Sequence, residues 1–320
     1  MSVEKRVLIT APAHPILSEA LQSRGYQVVY EPDITYEALK ASIADVTGLV
    51  VTTRLKIDSA ILDTAKELQW IGRLGSGMEL IDVEYALSKG ITCVSTPEGN
   101  SNAVGEHALA LLLNLMNKVT KSFEEIKGGQ WLRNENRGTE LSGKTVGIIG
   151  FGHTGPAFAR LLQPFGGKVL VYDKYKPGIG NDFIIQTDLQ TIQEQADVIS
   201  VHVPLTAETY HMMNDDFFNG LQRQPFFITT CRGAVTDTAA AIRALKNAKI
   251  AGAAFDVLEN EKIDSLNNQE KEQLQFLETQ PNVLMTPHIA GYSHEAYKNM
   301  SVVLIGKLDA MQLIDSDRRR

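Results

Sequence analysis

Short runs of β-branched and other apolar residues recur through the first hundred positions, separated by segments with helical apolar spacing. The strand-like runs are 7–10, 27–30, 48–51, 70–73 and 92–95, with helix-like patterns such as 16–21 and 61–68 between them. Strands alternating with helices through short loops predict an α/β parallel sheet. Residues 101–117 then read as a long helix, in which Ala103, Val104, His107, Ala108, Leu111, Leu112 and Leu115 give the apolar spacing. Gly128, Gly129, Gly138 and Gly143 punctuate a polar arm that carries Trp131. A second α/β series runs from Thr145 to about His288, with strands at 145–149, 169–172, 198–201, 226–229, 250–255 and 283–285. A last helix over 293–313 cannot extend a sheet already closed at Pro287-His288, so it is expected to pack back on the first domain. The reading is two doubly wound parallel-sheet domains, 1–100 with 289–320 and 101–288.

The start of the second series carries the sharpest local signal. Gly150-Phe151-Gly152-His153-Thr154-Gly155 follows a buried strand and opens a helix with Phe158, Ala159, Leu161 and Leu162 on one face. Asp173 closes the next apolar run, 18 residues after the last glycine. This is the dinucleotide-binding fingerprint in its strand-turn-helix-strand setting. Gly150 permits the tight turn, Gly152 lets backbone approach a pyrophosphate, and Gly155 lets helix and strand pack closely. The helix N-terminus offers unpaired N–H groups and positive potential to the phosphates. The predicted cofactor is NAD, because the Asp173 carboxylate repels a 2′-phosphate. Lys174 and Lys176 beside it blunt that repulsion, so the expectation is a preference and not an exclusion.

Composition narrows the class. A chain of 320 residues with 43% hydrophobic content suits two cores. The net charge of −7 argues against a nucleic-acid or anionic-membrane partner. Arg318-Arg319-Arg320 reads as a solvated tail. Residues 1–10 lead straight into a strand without a signal-peptide core, and the apolar stretch 108–116 is too short to span a bilayer. Cys93 and Cys231 form no metal or disulfide spacing, so a cytoplasmic protein without a metal site is expected.

In doubly wound sheets, ligands bind beyond the carboxyl ends of the strands. Three reactive side chains lie there: Arg232, Glu261 and His288. His107 lies on an apolar helical face and reads as a packed core or interface residue. Asp237 reads as a helix cap.

With these segments in order, the chain resembles the D-isomer-specific 2-hydroxyacid dehydrogenases, including the phosphoglycerate and hydroxypyruvate/glyoxylate enzymes. The resemblance rests on Gly72-Arg73-Leu74-Gly75-Ser76-Gly77, Val104-Gly105-Glu106-His107, the glycine fingerprint, and Val201-His202-Val203-Pro204-Leu205-Thr206. It continues through Cys231-Arg232-Gly233, Ala254-Phe255-Asp256-Val257 and Thr286-Pro287-His288-Ile289. It implies a flavodoxin-like substrate domain, a Rossmann domain for NAD, and reversible hydride transfer between NAD(H) and a D-2-hydroxy acid or its 2-oxo acid. His288 would be the general acid of reduction and base of oxidation, a role that suits an imidazole with a reference pKa of about 6.5. Glu261 would fix its tautomer, and Arg232 would grip the α-carboxylate with its forked donors. Arg54, Ser76 and Gly77 would complete the substrate contacts. The cofactor contacts implied are Gly150, Gly152, His153, Thr154, Gly155, Asp173, His202, Val203, Pro204, Thr209, Thr230, Cys231, Arg232, Asp256 and His288. Asp256 would meet the nicotinamide carboxamide.

The chain departs from the family pattern at Thr229, Cys231, Lys262, Leu80 and Pro156. None of these removes a catalytic group, but Leu80 and Ser76 bear on the substrate. Arg54 and the 72–77 segment favour D-3-phosphoglycerate, with hydroxypyruvate or glyoxylate reduction as the alternative. A non-enzymatic NADH-sensing corepressor is a further alternative, and formate oxidation is disfavoured because Glu261 stands where those enzymes use Gln. With its last residue at 320, the chain is expected to lack the regulatory extension of longer phosphoglycerate enzymes. The apolar 101–117 helix, the Trp131 arm and the resemblance predict a homodimer. Cys231 reads either as an inert packing thiol or as a thiol that the cofactor shields and Arg232 activates.

Overall fold

The computed structural model describes residues 5–314; the Arg318–Arg320 tail lies outside them. The chain divides into two compact units. One comprises the residues up to Asn100 together with those from Tyr292 on, and the other is Ser101–Gly291.

The first unit holds five parallel strands, β1 (Arg6–Ile9), β2 (Gln27–Tyr30), β3 (Val46–Val51), β4 (Trp70–Arg73) and β5 (Thr92–Ser95), in the order β2-β1-β3-β4-β5. That is the flavodoxin-like doubly wound order. Helices cover both faces, so β3 is buried at all six positions, which explains why it is apolar without alternation apart from Thr47. The helix His294–Ala310 joins this unit. It buries Leu304 and Leu308 in a cluster with Val7, Ile9, Leu17 and Trp70, and Asp309 pairs with Arg24 at 2.7 Å.

The second unit holds seven parallel strands: β6 (Thr145–Ile149), β7 (Lys168–Tyr172), β8 (Ile184–Gln186), β9 (Val198–Val201), β10 (Phe226–Thr229), β11 (Gly252–Phe255) and β12 (Val283–Met285). Their order, β12-β11-β10-β9-β6-β7-β8, is the Rossmann arrangement extended by one strand. The order reverses between β6 and β9, and the fingerprint turn follows β6 at that switch point. Its core has two layers, one around Phe217, Phe227 and Phe255, the other around Leu112, Phe158 and Val171.

Four details differ from the sequence reading. The long helix starts at Pro97, four residues before the expected 101, because proline suits the first helical turn. The segment read as a polar arm contains a helix, Val119–Lys127, set off by Lys118 in the left-handed region at φ 53°. Strand β8, three residues long at the sheet edge, has no counterpart among the expected strands. Residues 289–291 stay with the second unit, where Asp256 holds the N–H groups of Ile289 and Ala290. Among the described residues, no helix is long and apolar enough to cross a membrane.

Candidate active site

The glycine turn has the geometry its sequence requires. Gly150 sits at φ 93°, and a Cβ there would lie 2.6 Å from the carbonyl oxygen of His202. A Cβ on Gly155 would lie 2.3 Å from the Gly150 carbonyl oxygen, whereas one on Gly152 would meet nothing within 4 Å. The turn is therefore closed below and open above, as a backbone cradle for a pyrophosphate must be. Thr154 and Gly155 begin the helix Thr154–Leu162, and His153 is its N-cap without a side-chain cap bond. Asp173 accepts from the N–H of Phe151 at 2.8 Å and from those of Tyr175 and Lys176, each at 3.0 Å. Burial raises its pKa, but the three amides and Lys176 outweigh burial and hold the carboxyl below its usual range.

His202 closes the turn from the side of β9. Its Nε2 bonds Ser200 Oγ at 2.8 Å and its Nδ1 bonds Thr154 Oγ1 at 3.1 Å. Burial pushes its pKa down to about 4, so the ring is neutral at neutral pH. Val203 is half-buried and Pro204 exposed. Thr209 Oγ1 donates to the Pro204 carbonyl at 2.6 Å and accepts from Thr206 N at 2.8 Å, so its hydroxyl shapes this loop. Thr230 Oγ1 is buried without a hydrogen-bond partner, next to Cys231 and Arg232 at the end of β10. An orphaned hydroxyl at a strand's carboxyl end fits a ligand contact.

The reactive groups stand on the loops after β10, β11 and β12. His288 Nδ1 meets Glu261 Oε2 at 3.0 Å, with side-chain exposures of 36% and 45%. An ionised Glu261 makes Nδ1 the protonated nitrogen and leaves Nε2, which has no partner among the described residues, for proton exchange. Arg232 precedes the 3₁₀ turn Gly233–Val235, and its Nη1 donates to the Cys231 carbonyl at 2.6 Å. A Cβ on Gly233 would lie 1.8 Å from the Leu258 carbonyl oxygen. The glycine thus brings the backbone that leads to Glu261 against the turn that carries Arg232.

Asp256 also serves the protein's own framework. Its side chain is 0% exposed, and both oxygens are engaged within the protein. Oδ1 accepts from Thr286 Oγ1 at 2.6 Å and Ile289 N at 2.9 Å, and Oδ2 accepts from Ala290 N at 2.9 Å. Its carbonyl accepts from His288 N at 2.8 Å. The carboxylate is an anchor for the turn that holds His288 at φ 55°, and it lies wholly inside the protein. His107 also belongs to this network: its Nε2 lies 3.1 Å from Thr286 Oγ1. The single Thr286 hydroxyl proton goes to Asp256, so His107 is the donor there. The apolar helix spacing hid this polar contact.

Cys231 is buried in the core cluster of Met213, Phe217 and Phe227. Burial raises its thiol pKa against the smaller opposing effects of Thr229 and Arg232, so the packing role prevails over activation. Asp237 caps its helix through Ala240 N at 3.1 Å.

In the first unit, Ser76 is exposed and Gly77 half-buried on the loop after β4. Buried Arg73 braces that loop, donating to the carbonyls of Leu74 and, at 2.9 Å, Gly77. Arg54 is exposed and donates one N–H to the Thr10 carbonyl at 2.8 Å.

A model of the D-isomer specific 2-hydroxyacid dehydrogenase NAD-binding domain matches residues 109–290. The chain is similar to D-3-phosphoglycerate dehydrogenase of Homo sapiens, 32% identical over 313 residues, which are 97% of this chain and 56% of that protein. The chain therefore spans about half the length of that relative. It is 35% identical over 282 residues to glyoxylate reductase of Thermofilum pendens, covering 86% of this chain and 81% of that one. Among solved structures, D-lactate dehydrogenase from Aquifex aeolicus, complexed with NAD and lactic acid, superposes with a TM-score of 0.82 at 26% identity, covering 96% of this chain and 95% of that one.

Proposed function

The chain belongs to the D-isomer specific 2-hydroxyacid dehydrogenases, and from that premise we propose that it interconverts a D-2-hydroxy acid and its 2-oxo acid with NAD(H), D-3-phosphoglycerate being the favoured substrate. The observation that carries the reading is the 3.0 Å contact between His288 Nδ1 and Glu261 Oε2 on loops of an NAD-binding domain. NAD, when bound, takes up or supplies the hydride. His288 exchanges a proton at the substrate's C2 oxygen through Nε2. Glu261 orients the ring and stabilises its charged form. Arg232 binds the α-carboxylate and polarises the carbonyl, with Ser76 and Gly77 as further carboxylate contacts. Asp256, through the backbone of residues 288–290, keeps the imidazole in place. Gly150, Gly152, His153, Thr154 and Gly155 receive the pyrophosphate, and Asp173 the adenosine ribose.

The phosphoglycerate assignment draws on Arg54, an exposed guanidinium suited to a substrate phosphate, and on a relative aligned over 97% of the chain. The second reading, hydroxypyruvate or glyoxylate reduction, is favoured by the greater share of the glyoxylate reductase that the chain covers. NADH oxidation by the purified protein tests both, with 3-phosphohydroxypyruvate, hydroxypyruvate, glyoxylate, pyruvate and 2-oxoglutarate as substrates. The highest kcat/KM on 3-phosphohydroxypyruvate, falling in Arg54→Ala, is the expected result. Turnover of none of them, with NADH still bound, would favour a sensing protein. We further propose a cytoplasmic homodimer.

A further inference from the structure

The cofactor turn holds a cation that the glycine fingerprint does not require. Lys176 lays its ammonium on the carbonyl oxygens of Phe151 and Gly152, at 3.0 and 3.3 Å. Its own N–H donates to Asp173 Oδ1 at 3.0 Å. Lys174 is paired with Glu208 at 2.8 Å, but no carboxylate of the described residues lies within salt-bridge distance of the Lys176 ammonium. Two carbonyl dipoles orient that charge without cancelling it. Arg160, the nearest arginine in sequence, is turned away to Asn102 Oδ1 at 2.9 Å.

In this fingerprint the acid after the second strand receives the ribose 2′-hydroxyl and repels a 2′-phosphate. Here the repelling carboxylate accepts three amide bonds, and a full positive charge is held on the same turn. We propose that Lys176 is a specificity-determining residue of the cofactor site, which offsets Asp173 and narrows the discrimination between a 2′-hydroxyl and a 2′-phosphate dinucleotide. The inference rests on the reading of this turn as the dinucleotide site.

The test is calorimetric binding to the full chain of ADP-ribose, 2′-phospho-ADP-ribose, NADH and NADPH. Lys176→Met should weaken the two 2′-phosphorylated ligands by about tenfold, one ion pair's worth, and leave the other two within about threefold. Lys176→Arg, which keeps the charge, should restore the parent ratio. Asp173→Asn should shift the ratio the opposite way. An equal loss for all four ligands, with an unchanged melting temperature, would make Lys176 a pyrophosphate counter-charge and overturn the proposal, as would no change at all. Failure of the parent protein to bind NADH would instead overturn the dinucleotide reading itself.

Discussion

His288 and Glu261 meet at 3.0 Å through Nδ1 and Oε2, although 27 residues and strand β12 separate them in the chain. In the proposed mechanism the contact leaves Nε2 as the imidazole nitrogen that exchanges the proton. His288→Ala should therefore lower kcat by about 10² to 10⁴-fold, the usual contribution of a general acid–base group, while NADH affinity is kept. Glu261→Gln, which retains a hydrogen-bonding group but not the charge, should lose less. Single-turnover rates with NADH titration check both, and near-normal turnover in folded His288→Ala would remove the proton-transfer assignment.

Arg232 has a different signature. It is proposed to hold the substrate carboxylate and to polarise the carbonyl, so Arg232→Ala should raise KM sharply and also reduce kcat. Arg232→Lys, a point charge without the fork, should recover only part of the loss. Steady-state kinetics on the best 2-oxo acid provide the measurement, and an unchanged KM would place the carboxylate elsewhere.

His202 links the fold's stability to pH. Its folded-state pKa of about 4 lies below the ordinary imidazole value of about 6.5, because the buried ring resists charging. Between those values the unfolded chain binds more protons than the folded one, so stability falls as pH drops from 6.5 toward 4. Integrated, this amounts to at most about 3 kcal/mol. His202→Asn cannot titrate and should flatten that part of the curve. Melting temperatures at pH 7 and 4.5 decide it: parallel losses in parent and variant would mean that His202 does not carry the effect.

Much of this architecture is legible in the sequence, for a physical reason. A parallel strand buried on both faces appears as a mostly apolar, β-branched run without alternation, and β3, β6 and β9 read that way despite Thr47, Thr145 and Ser200. Gly150 and Gly155 of the fingerprint are legible because a Cβ at either would strike backbone, whereas Gly152 leaves open the face that a pyrophosphate approaches. Strand β8 is not, since Ile185 at its centre is 43% exposed and the element is only three residues long. Arg232, Glu261 and His288 can be found by their place after strands and by resemblance. The inward turn of Asp256 cannot, because side-chain direction at a strand end depends on which neighbouring amides are unpaired. Those of Ile289 and Ala290 become visible only in three dimensions.

Gly48 and Trp70 are direct register partners on β3 and β4. A Cβ at Gly48 would lie 2.1 Å from the fully buried indole. Gly48→Ala should therefore destabilise the first unit by about 1–3 kcal/mol through overpacking. Trp70→Ala, which opens a cavity, should cost about 3–5 kcal/mol. Urea unfolding followed by the fluorescence of Trp70, which is fully buried in the first unit whereas Trp131 is already exposed, measures Gly48→Ala. An unshifted midpoint would show that the sheet relaxes at no cost.

The helix Val119–Lys127 presents Val119, Phe123 and Ile126 on one face, exposed by 57, 60 and 52%. Trp131, just beyond it, is 81% exposed. An apolar stripe at i, i+4 and i+7 facing water is costly unless something covers it. The segment around it is firmly held: Lys121 bonds Asn136 Oδ1 at 2.7 Å, and Thr139 N donates to the Met116 carbonyl at 2.8 Å. A pinned apolar surface on the NAD-binding unit suits a second copy of the chain. Sedimentation at micromolar concentration should give a species of twice 35.2 kDa. The double substitution Phe123→Ser and Trp131→Ser should shift it to the monomer with little change in the circular dichroism spectrum, since neither side chain belongs to a core cluster. A parent protein that sediments as a 35.2 kDa species across that range would dismiss the dimer.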